Sequence, residues 1–568
     1  MAIENDDSKL ISVFCSVCQQ TIYPYNLLYH KKTHKALALL GFDSLQRNTD
    51  NKALLVQRKK LISKLTKAPK FSETRRQKID YSFEFLKNNH APISYCDLAN
   101  INNPSTPKKV NNSLIKALSI CQDKNSTWQG DMEDTFIVLD NYGNRSDTCF
   151  LGLVDGSYGV TAAETVAAEL PILFLDQLAQ TDPSYKKNKD EQQILDSFAT
   201  VINADYREKE KIFSDKPDND ETDKTNTYEW IHKAYAKSFW RMDRLLRLGR
   251  NEVSKVRWSG CSVVTCLVER ILSEEIGGTE EEGKLPENNT QNPLAMTAKG
   301  VAGLLHIANI GNAHAVLCRN GKSHCLSKEH STSNVSERQR ILQNGGNISS
   351  NEPDGLVEGH LRTTRGLGHH GDPVLKSFVI PVPHTMSVRI DDTCQFLILA
   401  SNGLWEVLDY NEVLALTLAT FTHYLRMYEC VQQNTVSPCK SQYLMPLTED
   451  NLNNSEAADE LQDGIDILYS NKDIFLTDSK GNLEQNYTGQ ELSTTLSPVA
   501  SKPPPQSEED TKPKPSTHDS QTAGRGSVTP ETLYNGAASY ISEQLVKTAL
   551  AAGSRDNITV LIALLNGC

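Results

Sequence analysis

The run "SPVASKPPPQSEEDTKPKPSTHDSQTAGRGS", residues 497–527, is the strongest single constraint on how this chain folds. Its proline, serine, lysine and glutamate content offers too little apolar surface to offset the entropy of ordering it. It lies within a span, residues 430–532, expected to be disordered, and structure signals resume beyond it. A helix pattern, "YISEQLVKTALAAG", is followed by a strand pattern, "NITVLIALL". Before the span, from about residue 91, apolar runs alternate with helical patterns, as an α/β or α+β domain requires. One domain, residues 91–429 and 533–568, is therefore expected to be interrupted by a long insertion. A second, acidic and glycine-containing insertion is "EEIGGTEEEGKLPENNTQN". No internal repeat is apparent.

The other end of the chain carries a different signal. In "FCSVCQQTIYPYNLLYHKKTH", Cys15 and Cys18 are two residues apart, eleven residues follow, and His30 and His34 are separated by three. Zinc takes four nitrogen or sulfur ligands in a tetrahedron. A two-residue knuckle brings two thiolates together, and histidines four apart share a helix face. Ile22 and Leu27 fall where a small core would lie, and Pro24 suits the first turn of a helix. Residues 10–36 therefore resemble a zinc finger with two cysteine and two histidine ligands, its loop one residue shorter than the common form. Behind it, residues 37–90 read as a basic helical linker. Over residues 31–90 there are 15 Lys or Arg against 5 Asp or Glu, and Leu54, Leu55, Ile62 and Leu65 fall at helical spacings. Protein contact is the expected use of this region. A lone finger reads about 3 bp, so nucleic acid is the lesser expectation.

The net charge of −12 argues against a nucleic-acid binder along the whole chain. The 13 cysteines are odd in number and irregularly spaced, which favours a reducing compartment, cytoplasm or nucleus. "MAIENDDSKL" lacks the apolar core of a signal peptide, and no apolar run approaches the length of a membrane span, so no membrane partner is expected.

Within the main domain, several probable strands end in acids. "GDMEDTFIVL" holds Glu133 and Asp134 before a strand, "CFLGLVDGSYG" delivers Asp155 into a turn, and "GSRDNITVLIALL" places Asp556 before the last strand. Such carboxylates are the ingredients of a magnesium or manganese site, though acids at strand ends are also ordinary turn residues. "FLILASNGLWEVL", Phe396 to Leu408, has the same design but delivers an amide, Asn402.

Seven ordered runs, "MED", "LGLVDGSYG", "SGCSVV", "LLHIANIGNAHAVLCRNGKSHCLSKEHSTSNVSERQRILQNGGNI", "TTRGLGHHGDPVLKSFVIPVP", "FLILASNGLWEVL" and "GSRDNITVLI", resemble the metal-dependent serine/threonine protein phosphatases of the 2C type. The resemblance covers about residues 110–567 apart from the insertions and points to a divergent member. It implies an α+β fold: a four-layer αββα sandwich of two antiparallel sheets flanked by helices, here preceded by the zinc-finger-like unit. It also implies a two-metal centre where bound water attacks phosphoserine or phosphothreonine. Asp155 matches the family's bridging aspartate and Gly156 its backbone-carbonyl ligand. Asp556 matches a further ligand, and Glu133 the glutamate that holds metal-bound water.

Other positions depart from the pattern. Asn402 replaces a direct aspartate ligand, and Asn312 an acid used for an additional metal. Gln129 stands where an arginine grips the phosphate. Ser157 stands where a histidine is the proposed general acid, while Glu406 conservatively replaces an aspartate. The amide at 402 removes one negative charge from the cluster. Glutamine cannot copy a bidentate charged grip on phosphate. Serine cannot donate a proton near neutral pH as an imidazolium can. Each such loss commonly costs about 10²–10³ in rate, though combined losses need not multiply. The resemblance thus implies a catalytically impaired phosphatase scaffold with a weak or incomplete manganese/magnesium site, zinc at the finger, and protein partners such as phosphoproteins. A slow manganese- or magnesium-dependent phosphatase and a zinc-finger nucleic-acid factor are the competing readings.

Overall fold

The computed structural model describes residues 12–15, 17–18, 20–42, 50–67, 73–88, 104–198, 228–248, 257–270, 302–349, 355–432, 467–470 and 530–568. The acidic insertion and most of the 430–532 span lie outside the described residues.

Two antiparallel sheets form the middle of the main domain. The first contains β3 (Thr106–Lys108), β4 (Ile115–Asp123), β9 (His314–Arg319), β10 (Lys322–Cys325), β13 (Cys394–Ala400) and β15 (Ile558–Leu565), in the order β10-β9-β13-β15-β4-β3. The second contains β5 (Thr135–Asp140), β6 (Thr148–Ser157), β7 (Gly260–Arg270), β8 (Gly303–Ile310), β12 (His384–Ile390) and β14 (Ile467–Ser470), in the order β14-β12-β8-β7-β6-β5, and β11 (Leu367–Gly368) pairs with β7. The strand β14 lies inside the 430–532 span and pairs with β12 at the edge of its sheet.

The period-two alternation of the strands builds the layers. In β15, Leu561, Ala563 and Leu565 enter the core between the sheets, whereas Val560, Ile562 and Leu564 face the opposite way. There they meet helices α10 (Tyr410–Gln432) and α11 (Pro530–Ala551) through Leu416, Ile541 and Leu545. In β6, Cys149, Leu151 and Leu153 point between the sheets. Phe150 and Val154 point toward α4 (Thr161–Thr181) and α6 (Glu229–Leu248), meeting Phe174, Tyr235 and Phe239. The remaining helices are α1 (Pro24–Leu40), α2 (Asn51–Thr66), α3 (Glu73–Asn88), α5 (Lys189–Ser197), α7 (Val335–Gln343), α8 (Pro373–Phe378) and α9 (Asn402–Trp405). Fully burying each Leu, Val, Ile or Phe is worth about 1.5–3 kcal/mol, so three apolar seams outweigh the bend of any single loop. The expected four layers are present.

The N-terminal unit is a hairpin and a helix. β1 (Val13–Cys15) pairs with β2 (Gln20–Ile22), and α1 begins at Pro24. It ends at Gly41, whose φ of 75 supplies the left-handed turn that closes the helix. This helix runs past the expected boundary at residue 36. Leu40 packs with Leu54, Ile79 and Phe83, so α1, α2 and α3 share a small core. Leu54 and Leu65 are buried as the helical spacing suggested, whereas Leu55 is 38% exposed. The unit also merges with the main domain, because Cys15, Cys18, Ile22 and Leu27 belong to the same apolar cluster as Ile541 and Leu545. Among the described residues, no helix is long and apolar enough to cross a membrane.

Candidate functional site

Strand direction explains where the acids collect. Asp155 follows Leu151 and Leu153 on the inner face of β6, so the alternation carries it to the end of the space between the sheets. Asn402 opens α9 just beyond β13, and Asp556 precedes β15, the strand paired with β13. Glu133 precedes β5, which pairs with β6. Two glycines permit the close approach. A Cβ on Gly156 would lie 2.3 Å from the Glu133 carbonyl oxygen, and one on Gly403 would lie 2.0 Å from that of Asn557.

The hydrogen bonds reveal what the amides do. The Asn402 backbone N–H donates to Asp155 Oδ2 at 2.7 Å, and its Nδ2 donates to Asp556 Oδ2 at 3.1 Å. Gln129 Nε2 donates to the Arg555 carbonyl at 2.9 Å and to Asp556 Oδ1 at 3.5 Å. Both carboxylate oxygens of Asp556 therefore face neutral amide donors. Glu133 Oε1 accepts from the Gly159 N–H at 3.0 Å. Glu406 Oε1 accepts from Ser554 Oγ at 2.8 Å and from the Arg555 N–H at 2.7 Å, which ties the 554–556 loop to α9. Asn312 is turned to Ser262, whose Oγ donates to its Oδ1 at 2.7 Å.

Electrostatics follow from burial. Asp155 is raised well above the usual carboxylate range by burial, then by the charges of Asp134 and Asp556. Burial also pushes Asp134 up to about 7, against hydrogen bonds from Ser401 and Thr559, with Asp556 and Glu133 adding to the rise. Burial raises Glu406 as well.

One neighbour of the centre, His369, lies in the run "TTRGLGHHGDP" but is not among the site residues expected from the sequence. His369 Nε2 stands 3.3 Å from Ser157 Oγ, and Ser157 Oγ also donates to the Gly260 carbonyl at 3.2 Å. The imidazole packs so closely on Gly260 that a Cβ there would lie 2.2 Å from it. Burial, then the charge of Lys376, lowers His369 to about 4. Ser157 thus has an imidazole beside it, and that imidazole is neutral near pH 7.

The second centre gathers without substitutions. Cys15 Sγ is 3.5 Å from His34 Nε2, Cys18 Sγ is 3.4 Å from His30 Nε2, and the two Nε2 atoms are 2.9 Å apart. Zinc bond lengths of about 2.0–2.3 Å imply tetrahedral edges of about 3.3–3.8 Å; the two Cys–His separations lie in that range and the His–His separation is shorter, so the donor set is consistent with one zinc ion. Burial raises the Cys15 thiol, but bonds with His30 and His34 and the N–H groups of Cys18 and Val17 outweigh it and bring it to about 5. Among the described residues these four form the one group of three or more such side chains whose ligand atoms all lie within 4.8 Å. Asp155, Glu133 and Asp556 form no second group of that kind. Asn402 and Gln129 thus bring neutral amides, not charged groups, to Asp556.

The family "Protein phosphatase 2C" matches residues 292–442. A serine-threonine phosphatase 2C from Toxoplasma gondii aligns with 59% of this chain and 96% of its own, at 16% identity and a TM-score of 0.35. "Protein phosphatase 2C homolog 1" of Saccharomyces cerevisiae is 26% identical over 306 residues, 54% of this chain and 82% of that protein. "Protein phosphatase 2C-like domain-containing protein 1" of Mus musculus is 39% identical over 561 residues, 98% of this chain and 89% of that protein. Its namesake in Homo sapiens is 45% identical over 576 residues, 97% of this chain and 89% of that protein. Likeness over that much of both chains, on a fold of two antiparallel sheets between helices, makes this chain a member of the protein phosphatase 2C-like family.

Proposed function

We propose that this protein is a pseudophosphatase: a 2C-type scaffold that binds protein partners and has little or no capacity to hydrolyse phosphate esters. The observation that carries the reading is the pair of amides on Asp556. Asn402 and Gln129 point N–H donors at a carboxylate where a metal ion needs lone pairs. An amide donor stabilises the anion by hydrogen bonding but supplies no positive ion to polarise a phosphate or acidify a water. Gln129 is itself committed to the Arg555 carbonyl, and Ser157 to that of Gly260. No catalytic step is assigned to Gln129, Ser157, Asn402 or Asn312. Glu133, Asp155, Gly156 and Asp556 are a residual manganese/magnesium site of low affinity.

The N-terminal unit binds one zinc ion through Cys15, Cys18, His30 and His34, and its role is structural. Tyr29 packs on Phe85 of α3 at 5.3 Å, and Lys31 pairs with Glu412 of α10. Much of the helix face that a nucleic-acid reader would insert is thereby occupied within the chain, which favours protein over nucleic-acid partners. The cysteine usage and the zinc-type cluster fit the cytoplasm or nucleus. His369 is the observation that favours slow turnover, yet near pH 7 its imidazole lacks the proton a general acid must donate.

The test is hydrolysis of a phosphoserine peptide and an aryl phosphate by the full chain with manganese or magnesium. Rates at background are expected. Turnover near 10 s⁻¹ in order of magnitude, removed by Asp155→Ala, would overturn the reading.

A further inference from the structure

The outer face of α2 carries a stripe of charge. Leu54 and Leu65 are buried and fix which side of the helix turns inward. At about 100° per residue, the opposite arc, about 100° wide, holds Lys52, Val56, Lys59, Lys60, Ser63 and, at the C-cap, Lys67. All six are exposed. Lys64 borders the arc on one side and Leu55 on the other. Val56 is 67% exposed. No aspartate or glutamate occurs from residue 51 to residue 72. With a rise of about 1.5 Å per residue, the stripe from Lys52 to Lys67 is about 22 Å long.

The same unit treats its other cations differently. Arg58, on the inner side of α2, pairs with Asp80 at 2.7 Å and lies 5.0 Å from the centroid of the Phe83 ring. On α3, Arg76 is 3.8 Å from Asp80 and Lys87 is 3.4 Å from Glu84. Among the described residues, none of Lys52, Lys59, Lys60, Lys64 and Lys67 is in an ion pair. Lys60, Lys64 and Lys67 follow one another at the spacings where like charges destabilise a helix. Packing of Leu54 and the cap at Asp50, whose Oδ1 accepts from the Lys52 N–H at 3.3 Å, offset that repulsion.

The stripe selects among anionic partners. Its members recur at i, i+4, i+7, i+11 and i+15, the spacing at which a second helix lying along α2 meets it turn after turn. Val56 within it and Leu55 beside it offer apolar surface to a partner side chain. Its cations are all lysines, whereas arginine's planar fork is the better grip on phosphate. The rest of the chain has 44 Lys or Arg against 66 Asp or Glu, a charge of −22. Such a body resists close approach to an extended polyanion, a nucleic-acid duplex or an anionic membrane. A single acidic helix touches the stripe alone.

We infer that the outer face of α2 docks an amphipathic helix of a partner protein, with glutamate or aspartate along its contact face and an apolar residue against Val56. The carboxylates neutralise the lysines and relieve their mutual repulsion. The lysine stems lie over the partner's apolar side chain while their ammonium groups meet its acids. The inference rests on the scaffold reading in taking a protein as the partner, and it adds the surface and the partner's chemistry. It does not involve the carboxylate centre.

The experiment is fluorescence anisotropy with the full chain. The probe is a labelled helical peptide of about 18 residues, long enough to span the stripe, with glutamates and one leucine on a single face. The control has the same composition with its glutamates scattered round the helix. The matched peptide should bind at least about tenfold more tightly than the control, and its affinity should fall with added salt. Lys52→Gln, Lys59→Gln, Lys60→Gln and Lys67→Gln should each weaken it about two- to fivefold, as exposed charge contacts do. The four together should abolish the preference. Glutamine keeps the helix propensity of lysine, so these variants should melt like the parent. The single variants carry the test if the quadruple one fails to fold. Lys109→Gln, in an exposed pair with Glu531, should leave binding unchanged. Equal affinity for the two peptides, or an intact preference in the quadruple variant, would overturn the inference. So would tighter binding of duplex DNA or phosphatidylserine vesicles through the same lysines. A dimer in sedimentation that the quadruple variant loses would assign the stripe to a second copy of this chain and overturn it too. Phosphate-ester turnover by the full chain would defeat the pseudophosphatase reading, leaving the lysine stripe to be judged on the binding series.

Discussion

The Cys/His cluster and the carboxylate centre are both sets of ligand-type residues brought together by folding, and they differ in what faces what. In the first, four donors of lone pairs converge with their ligand atoms within 4.8 Å. In the second, N–H groups of Asn402 and Gln129 already occupy the lone pairs of Asp556 and Asp155. A surplus of facing lone pairs is unstable without a cation. The second centre meets part of that demand with its own donors, while burial and neighbouring charge still raise Asp155 and Asp134. The contrast lies in charge and donor count, and distance alone does not capture it.

The largest expected effect is at the first centre. Cys18→Ser in the full chain should lower bound zinc from one equivalent to near zero, measured by metal analysis after gel filtration. Because zinc binding in such small units supplies about 10–16 kcal/mol, the N-terminal hairpin should become protease-sensitive in the same variant. Unchanged zinc content would break the comparison from that side.

An intermediate effect is expected at the second centre. Asn402→Asp replaces a donor by an acceptor and sets a third charge beside Asp155 and Asp556. Without divalent metal it should destabilise the domain by about 1–3 kcal/mol. With manganese at about 100 times its Kd, binding should return about 2.7 kcal/mol, read as a metal-dependent rise in Tm. Phosphatase turnover should stay near background, because Gln129 and Ser157 are unchanged. An equally large manganese effect in the parent protein would erase the distinction between the two centres.

The smallest effect concerns the junction of the two regions. Burial, then the charge of Asp409, raises the Glu412 carboxyl to about 7, opposed by Lys31. An unfolded glutamate titrates near about 4.3. Between those values the folded protein holds a proton that the unfolded chain has released. This group's contribution to stability is therefore greatest at low pH and declines as pH rises to about 7. Glu412→Gln should flatten the stability–pH curve over that window, so that the difference between variant and parent shifts in the variant's favour from pH 5 to pH 8. Denaturant melts at pH 5, 6, 7 and 8 would show it, and an unaltered slope would remove Glu412 from the junction's energetics.

Much of this was legible in the sequence where the chemistry is local. The cysteine and histidine spacings place four zinc-type ligands, and apolar runs ending in Asp155, Asn402 and Asp556 place three side chains at strand ends. What was not legible depends on partners distant along the chain. What brings the Asn402 amide to Asp556 is the pairing of β13 with β15, which sets Ala400 opposite Val560. His369 meets Ser157 across 212 residues, and although each lies in a recognisable run, neither run indicates that the two side chains meet. Leu27 and Ile22 were readable as the core of an isolated finger, but burial against α10 and α11 joins them to the main domain.

The placement of β15 has a consequence for how the protein is made. It lies in the interior of its sheet, hydrogen-bonded to β13 on one side and β4 on the other. During synthesis both of those edges exist long before the strand that joins them. At about 5–20 residues per second, the interval between the end of β13 and the start of β15 lasts about 8–30 s. Throughout it one edge of β13 and one edge of β4 lack their partner, and such edges are templates for pairing with the wrong chain. The order of the strands thus sets how long those edges stay open during synthesis, and any lengthening of the segment before residue 530 prolongs the exposure.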